Sequence, residues 1–136
     1  MKMLTILVTL TLLFPLSLFA PAEISLPIQQ REPINPFKPL INAIGAVECD
    51  YDTLAYNPEE MATGYFQIRP IRIEDYNRRT GSTYELTDMF NYQIAEKVFL
   101  YYASEIGPYD LEKISKSWNG SGPKTIEYWN KVKKLL

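Results

Sequence analysis

A helix that must bury one face, yet ends in a carboxylate, constrains this chain more than any other stretch. In Pro39-Leu40-Ile41-Asn42-Ala43-Ile44-Gly45-Ala46-Val47-Glu48-Cys49, with Phe37 just upstream, residues 37, 40, 41, 44, 47 and 48 follow the i, i+3, i+4, i+7 spacing of one helix face. Glu48 therefore lies on or beside a buried stripe, where charge is costly. It also sits at the helix end, where the negative pole of the dipole disfavours a second negative charge. Both effects push a carboxyl pKa upward and make a proton donor usable near neutral pH. Burial statistics taken alone put such a Glu at a helix edge with its head in water; the segments that follow reverse that reading.

Composition removes several classes of chemistry. The 136-residue chain has no His, which excludes a Ser-His or Cys-His nucleophile and argues against a zinc site. Cys49 is the single cysteine, so no intrachain disulfide can form and one packed core must supply the stability. Residues 1–22 read as a secretory signal peptide: Lys2 at a basic start, an apolar run from Leu4 to Phe19 interrupted by Pro15, and the small-residue site Ala20-Pro21-Ala22. The run is short for a membrane span. Cleavage is expected after Ala22, which leaves an exported protein, periplasmic or extracellular, with no stable membrane anchor. Losing Lys2 reduces the 14 Lys+Arg to 13 against 16 Asp+Glu, a net charge of −3. That balance gives no reason to expect nucleic acid as a partner.

Residues 23–36 are Pro-spaced without helical period and read as an extended tether, followed by a domain over 37–136. Its first helix is expected over 39–49. A turn-rich stretch, residues 50–63, breaks most clearly at Asn57-Pro58 and has room for a small hairpin. A short helix follows Pro70 and ends near Gly81. The longest helix is expected to begin after Thr87 or Asp88 and run to Ile106, burying Phe90, Ile94, Val98, Tyr101 and Tyr102, with Gly107-Pro108 as its stop. Asp110 caps a helix through Trp118. Pro123 opens a last helix with Ile126, Trp129, Val132 and Leu136 inward. The expected fold is a mostly helical single domain with a possible small hairpin after the first helix.

Three segments carry chemistry: Glu48-Cys49; Gly64-Tyr65-Phe66-Gln67-Ile68, about 16 residues on; and Trp118-Asn119-Gly120-Ser121-Gly122-Pro123. In this order and spacing they resemble the soluble lytic transglycosylase family, whose fold is shared with goose-type lysozyme. That family shows a Glu-Ser pair ending an apolar helix, then a Gly-Leu-Met-Gln-like segment, then a Tyr-Asn-Ala-Gly-like turn. Tyr56-Asn57-Pro58, Ile68-Arg69-Pro70 and the ending Tyr128-Trp129-Asn130-Lys131-Val132 add to the match, which covers about residues 38–136. The ending in particular looks like the tail of small exported or phage-borne members.

The resemblance implies an α+β lysozyme-like domain acting as a monomer on peptidoglycan glycan strands, without metal or cofactor. The expected reaction cleaves the β-1,4 bond between N-acetylmuramic acid and N-acetylglucosamine. Glu48 is the implied acid and then base. Gly64, Tyr65, Phe66, Gln67, Trp118 and Asn119 are the implied substrate-binding residues, with Gly64 letting backbone approach the sugar and Gln67 offering donor and acceptor. Trp118 suits either a core anchor or a stacking surface beside the cleft. Departures from the family pattern are Cys49 for Ser, Trp118 for Tyr, Phe99 where a Tyr is frequent, and a loop between Asn57 and Gly64 about one residue longer. Tyr101 or Tyr102 is the nearest substitute for the lost hydroxyl. Two other outcomes are compatible with the same residues: a muramidase that admits water to the same bond, and a glycan-binding or assembly factor with little catalysis. Asp50 and Asp52 read as turn-formers, and Cys49 as a small buried apolar residue.

Overall fold

The computed structural model describes residues 33–136; the expected signal segment, 1–22, and the tether as far as residue 32 lie outside the described residues. Helix α1 (Lys38–Cys49) begins within one residue of its expected start, because Pro39 fills a first-turn position that has no hydrogen bond to lose. It ends on Asp50, whose left-handed backbone (φ 50°) lets its N–H donate to Gly45 O. The apolar stripe faces inward as its period requires, with Leu40, Ile41 and Ile44 fully buried.

The turn-rich stretch does form a hairpin. Strand β1 (Tyr56–Asn57) pairs antiparallel with β2 (Ala62–Thr63), Tyr56 opposite Thr63 and Asn57 opposite Ala62. Asp52 is a turn-former, its Oδ1 accepting from the Leu54 N–H at 2.8 Å. Helix α2 (Pro70–Thr80) opens on Pro70 and closes on Gly81, with Arg78 and Arg79 in its last turn, where cations complement the exposed carbonyls.

The longest helix departs from expectation at its start. Residues Leu86–Phe90 form a separate 3-10 turn, held by a reciprocal Glu85–Asp88 capping box, and α3 (Tyr92–Ile106) begins only after Asn91. Asn91 Oδ1 accepts from the N–H groups of Gln93 and Ile94, so it, not Thr87 or Asp88, is the cap. The buried face of α3 turns with the new start: Ala95, Val98, Phe99 and Ala103 are inside, while Ile94, Tyr101 and Tyr102 are half-buried.

Asp110 caps α4 (Leu111–Asn119) as expected, its Oδ1 accepting from the Lys113 N–H at 2.9 Å. In α5 (Lys124–Lys133) the expected inward face is corrected. Thr125, Tyr128 and Val132 are buried, Trp129 is half-buried, and Ile126 and Leu136 are about half exposed. The aliphatic residues pointed to one face, but α5 packs on α4 and α1 with the adjacent face, where an aromatic hydroxyl has a partner.

At the centre Phe99 stacks on Phe66 with ring centroids 4.8 Å apart, and Trp118 meets Phe99 edge-on at 5.0 Å. Helix α4 packs on α3 and α5, and α5 on α1. The result is a mainly helical unit with one small hairpin. This packing gathers the C-terminal ends of α1 and α4 and the loop after β2 around one cleft. Among the described residues no helix is long and apolar enough to cross a membrane.

Candidate active site

The cleft has a volume of about 330 Å³ and is lined mainly by polar side chains, among them Glu48, Gln67, Arg69, Arg72, Trp118 and Asn119. Helix α1 delivers Glu48 to its floor in a half-buried position. Burial raises the Glu48 pKa to about 7, against the partly compensating pull of a hydrogen bond from Tyr128 and the positive charge of Arg69. Tyr128 Oη donates to Glu48 Oε1 at 2.8 Å. Burial also pushes the Tyr128 phenol well above its usual pKa, so it remains a donor. With Oε1 taken by the phenol, Oε2 has no protein hydrogen-bond partner among the described residues. A carboxyl of this kind is half protonated near neutral pH, the condition in which it can give a proton and take one back.

Tyr128 was not among the expected site residues. Tyr128 opens the Tyr128–Val132 ending that adds to the resemblance, but its inward placement rests on the Thr125, Tyr128, Val132 spacing of α5, which is weaker than the aliphatic pattern beside it. The hydroxyl that meets Glu48 belongs to Tyr128 and not to Tyr101 or Tyr102. Phe99 is fully buried, Tyr101 packs edge-on against Tyr76, and Tyr102 Oη donates to Asp75 Oδ2 at 2.9 Å, away from the cleft lining. Tyr128→Phe is expected to raise the Glu48 pKa further, because it removes the hydrogen bond that favours the carboxylate, at a stability cost of about 1 kcal/mol. A carboxyl-detected NMR titration checks this: an unchanged or lower midpoint would mean the phenol does not act on the acid.

The segment after β2 divides into wall and lining. Thr63 and Ile68 exchange N–H···O bonds at 3.0 and 2.9 Å, closing a tight loop over residues 64–67. Gly64, Tyr65 and Phe66, expected as substrate contacts, lie behind the cleft wall and do not line it. Gly64 (φ 74°) serves close packing against protein: a Cβ there would lie 2.0 Å from the Met89 carbonyl oxygen. Tyr65 lays its ring over Gly45, where a Cβ would meet the ring at 2.0 Å, and Phe66 is fully buried in the core. Only Gln67 reaches the cleft, from a left-handed backbone (φ 46°) that the closed loop imposes. Its Nε2 donates to Gly64 O at 3.0 Å and Ala55 O at 3.4 Å. Since both neighbours are carbonyls, the amide nitrogen is committed and Oε1 is what remains for a ligand: Gln67 offers an acceptor, not the donor and acceptor expected.

Trp118 takes the first of its two expected roles, the core anchor, and its ring is covered by the Arg72 guanidinium at 4.3 Å. It is almost wholly buried, its Nε1 donating to Phe66 O at 3.2 Å, and it also lines the cleft. Asn119 lines the cleft with its side-chain amide free of protein partners among the described residues, while its carbonyl accepts from Arg69 Nη2 at 3.3 Å. Cys49 is half-buried and polar in its contacts, not simply an apolar filler. Its Sγ lies 3.3 Å from both Gly45 O and Tyr65 O, and burial raises the thiol pKa so that the sulfur keeps a proton to donate. It therefore tethers the end of α1 to the Tyr65 loop, as a hydroxyl would, through a weaker donor.

Glu48, Gln67, Trp118 and Asn119 thus converge from three separate segments, and the cleft adds Arg69, Arg72, Glu60 and Lys124. Among the described residues no group of three or more His, Cys, Asp or Glu is placed to hold a metal ion. Comparison of the chain with protein-family models, with curated proteins and with solved structures finds no match.

Proposed function

We propose that this protein is an exported peptidoglycan lytic transglycosylase, acting as a monomer outside the cytoplasm and without a cofactor. The observation that carries the reading is a half-buried carboxyl with a pKa near 7, one oxygen held by Tyr128, at the floor of a polar cleft. Glu48 gives its proton to the oxygen bridging N-acetylmuramic acid and N-acetylglucosamine. The C1–O bond breaks and the N-acetylglucosamine 4-hydroxyl leaves. The muramyl C6 hydroxyl attacks C1, and its proton returns to Glu48. The products are a free 4-hydroxyl and a 1,6-anhydromuramyl end, and no water is consumed.

A glycosidase that uses water or a covalent intermediate needs two carboxylates. An internal hydroxyl already held near C1 removes that need, which suits a site built around one buried acid. Gln67 Oε1 accepts from an acetamido N–H or a hydroxyl, and the Asn119 amide serves the next polar group along the strand.

A second reading has its own support. Glu60, on the hairpin turn, also lines the cleft, and a second acidic side chain there is what a muramidase would use to direct water. Digestion of purified sacculi by the protein and by Glu48→Gln, read by mass spectrometry, separates the readings. Anhydromuramyl ends from the parent alone are the expected result. Reducing ends that vanish in Glu60→Gln would make it a muramidase. Glycan binding with no cleavage by either protein would make it a binding or assembly factor.

A further inference from the structure

The charge of the cleft opposes the charge of the chain. The protein as a whole is net negative at −2, yet the cleft gathers Arg69, Arg72 and Lys124 against Glu60 and a Glu48 that is half protonated near neutral pH. The two arginines stand one helical turn apart at the start of α2, and Lys124 is the first residue of α5, so three cations reach the cleft from two elements.

Their geometry is fixed to different degrees. The Arg72 guanidinium lies over the Trp118 ring, 4.3 Å from its centroid, and 4.9 Å from that of Tyr102, while its Nη2 donates to Trp118 O at 3.0 Å. Stacking and this bond hold the fork in one plane, and its other nitrogens have no protein acceptor among the described residues. Arg69 reaches Asn119 O at 3.3 Å and keeps only a loose ion pair with Glu60 at 3.9 Å. Lys124 is exposed and has no carboxylate partner among the described residues. A neutral sugar strand gives such a group of cations nothing to pair with, whereas a carboxylate between a planar fork and a lysine gains charge-assisted hydrogen bonds.

We infer that the Arg69, Arg72 and Lys124 wall of the cleft binds a carboxylate carried by the muramyl residue and thereby selects muramyl-containing strands over neutral N-acetylglucosamine polymers. This rests on the peptidoglycan reading above. Two sources supply the same chemistry: the lactyl carboxylate itself, free on strands stripped of peptide, and the carboxylates of the stem peptide on intact strands. Glu60, loosely paired with Arg69, is the internal competitor for the same cations.

The test is calorimetric binding to the protein carrying Glu48→Gln, so that no strand is cleaved. The three ligands are chitin oligomers, peptide-free muramyl strands and stem-bearing muramyl strands, each at about 50 and 500 mM salt. Muramyl strands are expected to bind at least about tenfold more tightly than chitin at low salt. The preference should collapse at high salt, where charges are screened within a few ångströms. Lys124→Ala, at an exposed position, should reduce it about threefold or more, and Glu60→Gln should increase it. A preference confined to peptide-free strands assigns the lactyl carboxylate, one confined to stem-bearing strands assigns the stem carboxylates, and one shared by both shows that the wall accepts either. Equal affinity for chitin and both muramyl strands, or a preference unmoved by salt and by Lys124→Ala, would overturn the inference. The two readings fail separately. Cleavage of sacculi without any binding preference removes only the carboxylate site, while a salt-sensitive preference in a protein that never cleaves removes only the transglycosylase.

Discussion

Glu48→Gln is expected to abolish glycan cleavage while making the protein more stable at alkaline pH. General acid–base catalysis is worth about 10²–10⁴ in rate, and the upper end applies where one group must serve as acid and then base. The stability effect follows from the pKa. Burial holds the folded carboxyl at about 7 against an ordinary value of 4.5. The folded state therefore binds this proton more tightly than the unfolded state. Its contribution is intact below about pH 4.5, is lost progressively as pH rises to about 7, and is gone above that. Gln keeps an acceptor for the Tyr128 hydroxyl but has no proton to lose. At pH 8 the variant should be the more stable by about 1–3 kcal/mol, with the gap closing towards pH 4.5. Parallel melting curves over pH 4–9 measure this. Two proteins whose stabilities fall together across that range would show that burial does not hold the Glu48 proton. If Glu48 is the proposed acid, kcat/KM of the parent protein should fall about tenfold per pH unit above pH 7, as its proton is titrated away.

The second large effect is structural and lies away from the acid. Gly64→Ala places a Cβ 2.0 Å from the Met89 carbonyl oxygen at a backbone φ of 74°. Overpacking costs about 1–3 kcal/mol, and the left-handed backbone of a non-glycine residue about 1–2 more. Neither contact can relax easily, because Met89 is fully buried and Gly64 donates its N–H to Ala55 O at 2.8 Å. A loss of about 3–4 kcal/mol is a large share of what a domain of this size possesses. Denaturant unfolding checks it, and a loss under about 1 kcal/mol would mean that the loop gives way. Whatever folded Gly64→Ala remains should be impaired in cleavage, since the same loop holds Gln67 in its left-handed conformation.

Much of this was readable before the structure. The α1 stripe announced itself because apolar residues recur at helical spacing and its exit is marked by Asp50, and α2 and α4 were bounded by Pro70, Gly81 and Asp110, whose chemistry is local. The raised pKa of Glu48 was legible for the same reason, since its burial follows from its place on that stripe. The errors share a different origin. Asp88 and Asn91 are both good caps three residues apart, and only the buried Met89 and the Glu85–Asp88 capping box decide between them. The rotation of α5 depends on what it packs against, which residues 124–133 do not encode by themselves. Gly64, Tyr65 and Phe66 share a short segment with Gln67, and sequence proximity could not say which of four neighbours faces the cleft when the backbone turns twice through the left-handed region.

The hydrogen bond between Tyr128 and Glu48 joins groups 80 residues apart. A chain emerges from synthesis N-terminus first, so α1 exists long before α5 is made. Until α5 docks, Glu48 lacks both its phenol and the cover that α5 gives α1. The environment that raises the Glu48 pKa is therefore completed by the last helix among the described residues, so loss of α5 packing would remove it while leaving the α1 sequence untouched.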